Sequence, residues 1–278
     1  MNKSVVSIQG YLGSWHDIAR QKYFGNHHEL LSRDTFKEVF ADLAEGRADY
    51  AVVSIENSLF GSINEVYDLL LKAKFWISGE INLRIHHCLV GLKGTKLDQI
   101  SEVHSHPVAL AQCEDYLDKV LWHAERFENH DTAGSAADVA RWQNPHKAAV
   151  ASGEAARLHK LTVLAREIED NKQNYTRFIV LQKHRPATNN TTKTSVVMRT
   201  DHKPGALYRA LGAFAENNIN LSKLESRPII GKAWHYMFYV DFEKGVNEKS
   251  VQTAFKHLNG MGCELTILGS YQKGRVIS

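Results

Sequence analysis

A polar segment beyond the middle of the chain separates two parts with different structural patterns. Residues 183–193 read KHRPATNNTTK, a stretch rich in Thr, Asn and Pro that has no apolar periodicity. Such a composition is typical of a linker between domains. The length of 278 residues agrees with this division, because about 100 to 200 residues per domain suggests two domains.

The first part alternates short apolar runs with helical patterns, which predicts an α/β domain in which helices connect the strands. The predicted strands are 5–9, 50–55, 75–90, 102–104, 148–151, 162–165 and 177–181. Helices begin at recognisable signals, namely Ser14 after a glycine, the capping box Thr35-x-x-Glu38, Pro107, Asp131 with Thr132, and Ser152.

Several of the predicted strand-to-helix junctions place backbone N–H groups and a hydroxyl at a helix N-terminus. In open α/β sheets such junctions line a crevice at the carboxyl ends of the strands, where anions bind. A single Ser or Thr at a helix start is usually only a cap. Because the pattern recurs, it predicts a site for a small anionic ligand.

The second part has a different and more compact pattern. It reads strand 194–199, helix 206–216, strands 219–226 and 234–242, helix 248–258 and strand 263–271. This βαββαβ order is the ferredoxin-like α+β plan. Leu207, Leu211 and Phe214 are the expected core face of its first helix, and alternate apolar residues from Tyr236 to Phe242 indicate a half-buried strand.

Charge and cysteine usage exclude several classes of protein. Lys plus Arg (34) and Asp plus Glu (31) leave a net charge of +3 without a block of like charges, so no nucleic-acid partner is expected. The three cysteines, Cys88, Cys113 and Cys263, are odd in number and far apart, which indicates buried thiols in a reducing compartment. No signal-peptide or membrane-span pattern occurs, so we expect a soluble cytoplasmic protein with no membrane partner.

Fifteen histidines, including the pairs His27-His28 and His86-His87, raise the question of a metal site. Adjacent histidines on a strand point to opposite faces, and His104 and His106 have no carboxylate partner at a metal-binding spacing. We therefore expect no metal site.

Five motifs of the first part resemble those of the prephenate dehydratase catalytic domain. They are GYLGSWH (10–16), IENSLFG (55–61), SHPVALAQC (105–113), DTA (131–133) and NYTRF (174–178). The second part resembles an ACT regulatory domain through GAL (205–207) and ESRP (225–228). The chain thus resembles a monofunctional prephenate dehydratase over essentially its whole length, and we expect no chorismate mutase activity of the kind that bifunctional relatives have.

One motif departs from the family pattern. The family's opening often reads Gly-Pro-x-Gly-Thr-Phe, whereas this chain has Tyr11 in place of the proline and Ser14-Trp15 in place of Thr-Phe. The hydroxyl and the aromatic ring are kept, so the departure concerns only the shape of the turn.

The resemblance implies an α/β, two-lobed catalytic domain of the periplasmic-binding-protein type, with the site in the cleft and two crossing strands between the lobes. One lobe would comprise residues 1–80 and 177–183, and the other residues 81–176. Residues 75–90 would supply one crossing strand, and the stretch up to Arg177 the other. The whole catalytic domain would be residues 1–183, followed by a linker at 184–193 and a ferredoxin-like ACT domain at 194–278.

The activity that this resemblance implies is the decarboxylating dehydration of prephenate to phenylpyruvate, water and CO2 in L-phenylalanine biosynthesis. Aromatisation drives the reaction, and no metal or organic cofactor is required. Thr176 is expected to donate a hydrogen bond to the leaving hydroxyl as charge develops on it. Because an aliphatic hydroxyl is too weak an acid to finish the transfer alone, either a water relay or a nearby acid such as Glu56 must supply the proton. Glu56 could instead be only a carboxylate at a helix start.

The remaining catalytic-site assignments concern the substrate carboxylates. Arg177 can hold a carboxylate through two N–H groups, and the alternative is an outward salt bridge that braces the lobes. His106 is either a donor or simply a helix-start residue. The substrate-binding residues implied by the motifs are Ser14, Asn57, Ser58, Ser105, His106, Thr132 and Phe178.

The ACT resemblance implies feedback inhibition by L-phenylalanine, bound between two ACT domains. Gly205 would let the backbone approach the ligand closely, since glycine has no side chain to block it. Such a site requires a homodimer or a homotetramer. The residues implied in phenylalanine binding are Gly205, Ala206, Leu207, Glu225, Ser226, Arg227 and Pro228.

Two alternatives stay open at the level of sequence. Arogenate, the aminated analogue of prephenate, would give phenylalanine directly. The other alternative is a non-catalytic amino-acid sensor with a two-lobed binding module, which the intact Thr176 and Glu56-Asn57-Ser58 disfavour.

Overall fold

The computed structural model describes residues 3–25 and 27–277, so the predicted domain ends at residues 1 and 278 lie outside the described residues. The strands are β1 (Val5–Gln9), β2 (Glu29–Arg33), β3 (Tyr50–Asn57), β4 (Gly61–Ser62), β5 (Trp76–Arg84), β6 (Cys88–Gly91), β7 (Glu102–Ser105), β8 (Glu125–Glu128), β9 (Lys147–Ala151), β10 (Thr162–Ala165), β11 (Tyr175–Gln182), β12 (Lys193–Arg199), β13 (Leu221–Pro228), β14 (Tyr236–Phe242), β15 (Glu264–Tyr271) and β16 (Val276–Ile277). The α-helices are α1 (Trp15–Phe24), α2 (Phe36–Glu45), α3 (Asn64–Ala73), α4 (Pro107–Ala111), α5 (Glu114–Val120), α6 (Thr132–Trp142), α7 (Gly153–Leu158), α8 (Ala206–Glu216) and α9 (Lys249–Gly260).

The chain forms two compact units. The first contains the chain up to Leu69, Ile81–Phe178 and the last residues from Val276; the second contains Leu70–Glu80 and Ile179–Arg275. Strands β5 and β11 therefore each pass from one unit into the other. Within the described residues, no helix is both long and apolar enough to cross a membrane.

One sheet of the first unit has the order β5-β11-β3-β1-β2. Strand β1 is parallel to both β2 and β3, which places the carboxyl ends of these three strands at one edge. The predicted capping box of α2 is confirmed, since Thr35 and Glu38 exchange side-chain to backbone hydrogen bonds. Val39 and Leu43 of this helix are buried, which is what an amphipathic helix on a sheet requires.

The other sheet of the first unit has the order β10-β6-β9-β7-β8 and buries both of its faces. On β9, Ala148 and Val150 belong to a core with α4 and α5, whereas Ala149 and Ala151 belong to a core with α6 and α7. Alternate residues of a strand face opposite sides. The small alanines let helices approach both sides of the sheet.

The predicted strand at 75–90 is wrong as a single element. It breaks into β5 and β6, which lie in different sheets. At the break, the Ile85 N–H donates to the Asn174 carbonyl at 2.8 Å, and the His87 N–H donates to the Glu169 carboxylate at 2.9 Å. These partners satisfy the buried backbone groups that a strand neighbour would otherwise satisfy.

Several short or polar elements escaped the sequence prediction. Strands β2 and β8 lie at sheet edges and read ELLSR and ERFE, without the apolar alternation of a central strand. Helix α3 was also missed. The helix predicted from Pro107 ends after one turn at Ala111, and a second helix, α5, begins at Glu114.

The second unit contains the predicted βαββαβ order, with α8 confirmed residue for residue. Its sheet order is β13-β14-β12-β15, which leaves β13 at an edge. The α8 core face differs from the prediction: Ala210, Ala213 and Phe214 are buried, Leu207 packs beside them, and Leu211 lies outside this core. Strand β14 is not half-buried as predicted: Val240 and Phe242 belong to this core, but Tyr239 and Asp241 on the other face are buried as well.

The predicted linker ends earlier than the sequence indicates. Lys193 is the first residue of β12, and its Nζ donates to both oxygens of the buried Glu80 carboxylate, at 2.8 and 3.1 Å. The Gly274 N–H donates to the same carboxylate at 2.9 Å. A buried charge requires such partners, so this lysine belongs to the packed second unit.

Candidate active site

The ends of two neighbouring strands bring Asn57 and Thr176 together. Asn57 is the last residue of β3, Thr176 is the second residue of β11, and the two strands are adjacent in the sheet. The Ser58 N–H donates to the Tyr175 carbonyl at 2.8 Å. As a result the Asn57 amide nitrogen lies 3.0 Å from the Thr176 hydroxyl oxygen.

The orientation of the Asn57 amide is fixed by its neighbours. Its oxygen accepts hydrogen bonds from the backbone N–H groups of Leu59 and Phe60, both at 3.0 Å. Only the oxygen of an amide can accept, so the nitrogen must face the other way. That nitrogen donates to Thr176 Oγ1, and it also donates to Asn174 Oδ1 at 2.8 Å. Both donor hydrogens of Asn57 are therefore used within the protein.

The hydrogen-bond chain continues through three more buried side chains. Asn174 Nδ2 donates to Gln112 Oε1 at 2.9 Å, and the same oxygen lies 2.8 Å from His87 Nε2. Because an amide oxygen only accepts, His87 must carry its proton on Nε2. Burial lowers the pKa of His87, so the ring is neutral and Nδ1 has a free lone pair. The direction of every bond from His87 to Thr176 follows.

These bonds leave the Thr176 hydroxyl as a donor. Its oxygen accepts from Asn57, which occupies one lone pair and leaves its own hydrogen available. Only 9% of the residue is exposed. A hydroxyl with its acceptor role filled and a low local dielectric around it is a strong hydrogen-bond donor to developing negative charge.

Arg177 and Glu56 face each other beside this group. Arg177 Nη1 lies 3.8 Å from Glu56 Oε2, and the arginine side chain is mostly buried. Glu56 lies on β3, so the interpretation of this residue as a helix-start carboxylate is wrong. In the structure the two oppositely charged side chains lie close together on the neighbouring strands β3 and β11.

Several predicted substrate donors have hydroxyls that are occupied by the backbone. Ser58 Oγ donates to the Gln173 carbonyl and accepts from the Tyr175 N–H, at 2.8 and 2.9 Å. Ser105 is fully buried and donates to the Val150 carbonyl at 2.6 Å. Their sequence pattern resembles that of donors, but the observed contacts are those of residues that hold strand ends in place.

Phe178 lies in the core and not at a surface that a ligand could reach. It is 1% exposed, and its ring meets the edge of the His16 ring at a centroid distance of 5.1 Å. His16 Nε2 accepts the Ser54 N–H at 3.1 Å, and burial lowers the His16 pKa to about 3. Through these contacts the neutral His16 links Phe178 of β11 to the backbone of β3 within the core.

The glycine-rich motif at residues 10–14 contacts the helices of the other sheet. A side chain at Gly13 would lie 2.9 Å from the Ala155 backbone, and the Ser152 hydroxyl donates to the Gly13 carbonyl at 2.6 Å. With φ at +82°, this position also favours glycine. Ser14 caps α1, its oxygen accepting from the Asp17 N–H at 3.3 Å.

A second polar group forms where α4 and α6 begin. His106 Nδ1 accepts from the Val108 N–H, and Asp131 accepts from the Gly134 N–H at 2.9 Å; Thr132 follows as the first residue of α6. Burial raises the Asp131 pKa, although backbone donors and nearby His106 oppose the shift. Burial lowers the His106 pKa against the opposing charges of Asp131 and Glu128. Both shifts reduce charge at a site predicted to receive an anion.

Sequence reasoning missed four of the residues in these two groups. Asn174 and Gln112 stood inside quoted motifs, but nothing in their spacing indicated that they meet. His87 was considered only as part of a histidine pair, and Asp131 only as a helix cap and a member of the DTA motif, without a role at the site. The sequence feature that could have identified Asp131 is its place in the DTA motif at a predicted helix start.

The second unit contains a separate cavity of about 400 Å³ at the start of α8. Ala206 and Leu207 line it together with residues 200–204 and with His235, Tyr236 and Phe238. Gly205 precedes the helix with φ at +76°, in the left-handed region that favours glycine. The GAL motif therefore lies at a cavity large enough for a small molecule.

The ESRP motif lies on edge strand β13 and not in a loop. The strand continues through Pro228, two residues beyond the predicted end, with Ser226 and Pro228 exposed and Glu225 and Arg227 partly buried. The residues described as lining the α8 cavity do not include this motif. Ser226 and Pro228 nevertheless pair with Phe238 and Tyr236 of β14, two residues that do line the cavity.

Comparison with protein families gives two matches along the chain. A model described as prephenate dehydratase matches residues 6–186, and a model described as ACT domain matches residues 194–258. Among curated relatives, arogenate dehydratase 2 of Petunia hybrida is 41% identical over 96% of this chain and 71% of its own length. A bifunctional chorismate mutase/prephenate dehydratase of Enterobacter agglomerans is 36% identical over 98% of this chain and 71% of its own length.

Solved structures agree over nearly the entire chain. A prephenate dehydratase from Arthrobacter aurescens in complex with L-Phe has a TM-score of 0.86 at 29% identity, covering 97% of this chain and 90% of that one. A structure described as GqqA, a novel type of quorum quenching acylase, has a TM-score of 0.87 at 32% identity, covering 97% of this chain and 98% of that one. This chain belongs to the prephenate dehydratase family and has a C-terminal ACT domain.

Proposed function

We propose that the chain converts prephenate to phenylpyruvate, water and CO2, in the cytoplasm and as a step in phenylalanine biosynthesis. The observation that carries this proposal is the Thr176 hydroxyl, whose oxygen accepts from Asn57 so that its hydrogen can be donated. Family membership supports the reaction type. A leaving hydroxyl group is the part of prephenate that needs such a donor.

In the proposed mechanism, the bond between the ring and its carboxylate breaks first or together with the C–O bond. The electron pair of the C–C bond enters the ring, CO2 leaves, and the hydroxyl departs with its electron pair as aromaticity forms. Thr176 donates a hydrogen bond to that oxygen while negative charge develops on it. One proton must then be added to make water. Glu56, a water relay and Asp131, a carboxyl with a raised pKa, are the candidates for its source.

We propose that Arg177 anchors a carboxylate of the substrate. Its side chain is mostly buried and lies on β11 next to Thr176, and a guanidinium can hold a carboxylate through two N–H groups. Ser14, Thr132 and His106, at the starts of α1, α6 and α4, would complete the anion site. We assign positioning roles to Asn57, Ser58, Ser105 and Phe178, because their polar or aromatic groups contact the protein itself.

We further propose that L-phenylalanine binds at the cavity beside Gly205, Ala206 and Leu207, and that a second copy of the chain completes the site with its ESRP strand. The position of β13 at a sheet edge, with Ser226 exposed, supports such an assembly. A homodimer, or a homotetramer built from dimers, follows from this arrangement. The two family matches, at residues 6–186 and 194–258, support the division into two domains, and the first match ends inside the proposed linker.

Arogenate is the second candidate substrate. Several relatives at 38–41% identity are named arogenate dehydratases, and one from Arabidopsis thaliana is named for both substrates. Arogenate has an amino group where prephenate has a keto oxygen, so the two differ in whether that end of the site must accept or donate hydrogen bonds.

We expect purified protein to form phenylpyruvate from prephenate, and a Thr176→Ala variant to lose about 10² to 10³ in kcat, because one preorganised donor is removed. Phenylpyruvate absorbance measures the first reaction, and phenylalanine released from arogenate measures the second. Thr162→Ala, an exposed strand threonine, is the matched control. Failure to turn over either substrate would leave the non-catalytic sensor as the better explanation.

An Asn57→Asp variant should lower kcat by about 10²-fold without unfolding the protein. One carboxylate oxygen still accepts from Leu59 and Phe60, but the other cannot donate to Thr176 and instead accepts the threonine hydrogen. The hydroxyl then no longer points its hydrogen at the substrate. Steady-state kinetics measure the loss.

The control for this exchange is Asn144→Asp, where only the amide oxygen is used and accepts from the His146 N–H. It should behave as the parent protein. Unchanged kcat in Asn57→Asp would show that the orientation of Thr176 is not set by this amide.

Asp131→Asn should flatten the pH dependence of KM for the anionic substrate. The raised pKa keeps Asp131 protonated to a higher pH than an ordinary aspartate, so its neutral form is present below that pKa and is lost as pH rises through it. The ionised form then repels the substrate carboxylates. Asparagine still caps α6 but cannot ionise, so KM should stop rising with pH.

The partly exposed Asp138 on the same helix gives the control variant, Asp138→Asn. It should leave the KM profile of the parent intact. If Asp131→Asn and Asp138→Asn show the same profile as the parent, Asp131 does not face the bound substrate.

Replacing Gly205 by alanine should weaken inhibition by phenylalanine at least tenfold while turnover without phenylalanine persists. The left-handed backbone at this position strains any side chain, and the added Cβ would lie 2.9 Å from Arg209 Nη1. Inhibition curves measure the effect. Gly212→Ala on the same helix, where the nearest atom is 3.9 Å away, should respond normally. Equal sensitivity of both variants would contradict the assignment of the site.

A further inference from the structure

Three titratable side chains converge where the chain passes between the two sheets of the first unit. His86 lies in the break between β5 and β6, and Glu167 and Glu169 follow β10. His86 Nδ1 is 3.6 Å from Glu169 Oε1 and 4.0 Å from Glu167 Oε1, and all three atoms lie within 4.8 Å of one another. None of these three side chains belongs to the hydrogen-bond chain from His87 to Thr176, although Glu169 accepts the His87 N–H.

Two of these atoms are buried without a hydrogen bond. The Glu169 side chain is 1% exposed; its Oε2 accepts the His87 N–H, but its Oε1 accepts none. His86 Nδ1 is likewise buried and has no hydrogen-bond partner. The 3.6 Å between them is too long for a hydrogen bond. Native proteins rarely leave such groups unsatisfied, because each costs about 1–3 kcal/mol.

Two of the three separations, 3.6 and 4.0 Å, lie within the range that two ligand atoms of one metal ion can span. Ligand atoms about 2.0 to 2.2 Å from a tetrahedral ion are separated by roughly 3.5 Å. In an octahedral site, neighbouring ligand atoms are closer together than this and opposite ligand atoms are farther apart. One imidazole with two carboxylates is a donor set that Zn²⁺ and similar divalent transition metals accept. A single ion would satisfy both unpaired atoms at once.

An adjacent cavity leaves room for further ligands. It measures about 340 Å³, and His86 and Glu167 line it together with Trp15, Ser152 and Glu154. Water molecules in this space could fill the open coordination positions, as in zinc sites with three protein ligands.

Two positively charged side chains oppose a cation here, since Arg166 lines the same cavity as His86 and Glu167, and Lys172 lies beside Glu169. Lys172 Nζ lies 3.8 Å from Glu169 Oε1 and donates to the backbone carbonyls of Glu167 and Glu169. Its side chain is half exposed, so solvent screens it and it can turn outward. The lysine should weaken cation binding without preventing it.

We propose that His86, Glu167 and Glu169 bind one divalent transition-metal ion. The histidine-pair argument from the sequence did not detect this site, because only one member of the pair contributes and both carboxylates come from a segment about 80 residues away. The ion would join the two connections between the sheets. It would also fix Glu169, which holds the backbone of His87 at the start of the hydrogen-bond chain to Thr176.

The test is calorimetric titration of Zn²⁺ into untagged full-length protein that has been stripped with chelator, with metal analysis after desalting. We expect one ion per chain and a rise in melting temperature. Glu167→Gln changes a half-exposed carboxylate and should fold normally while binding at least tenfold more weakly. Glu169→Gln and His86→Ala should do the same, and Lys172→Met should bind more tightly.

His123→Ala removes an exposed histidine outside the cluster and controls for surface binding. It should bind Zn²⁺ as the parent does. The proposal is overturned if the parent binds no ion, or if Glu167→Gln and His86→Ala bind with the affinity of the parent. Repeating the titration with Thr176→Ala separates this site from catalysis, since that variant should bind the ion normally.

Discussion

The orientation of the Asn57 amide sets the direction of the hydrogen bonds that lead to Thr176. Two backbone N–H groups hold its oxygen, so its nitrogen must donate to Asn174 and Thr176. Gln112 and His87 continue this chain, because the Gln112 side-chain oxygen accepts hydrogen bonds from both Asn174 and His87. A buried polar network whose amide orientations are fixed in this way is rigid, and rigidity is what a donor aimed at developing charge requires.

The same residues hold the chain where it crosses between the two sheets. The Asn174 carbonyl accepts the Ile85 N–H, and the Glu169 carboxylate accepts the His87 N–H. These contacts explain why the apolar run at 75–90 does not continue as one strand. The groups proposed to act on the substrate are therefore attached to the segments that connect the sheets, and a movement of one sheet against the other would disturb them directly.

Local features of the fold were predicted better from the sequence than the contacts of individual side chains. Helix α8 and the capping box at Thr35 were predicted correctly, because caps and helical periodicity are local properties. The NYTRF and IENS motifs were recognised as parts of one site, and the structure places Asn57 3.0 Å from Thr176. Ser105 and Phe178 lie in the core instead. Their residue type suits a ligand site, but which group a hydroxyl or ring contacts depends on distant parts of the chain.

The sequence by itself determined the two-part organisation, the order of most helices and strands, and the family motifs, since these follow from periodicity, turn residues and local spacing. Only the tertiary structure decided which way each amide in the Thr176 group points, why Asp131 has a raised pKa, and that His86 meets Glu167 and Glu169. The physical reason is that hydrogen-bond direction, desolvation and ion pairing depend on groups that lie far apart in sequence and become neighbours only after folding.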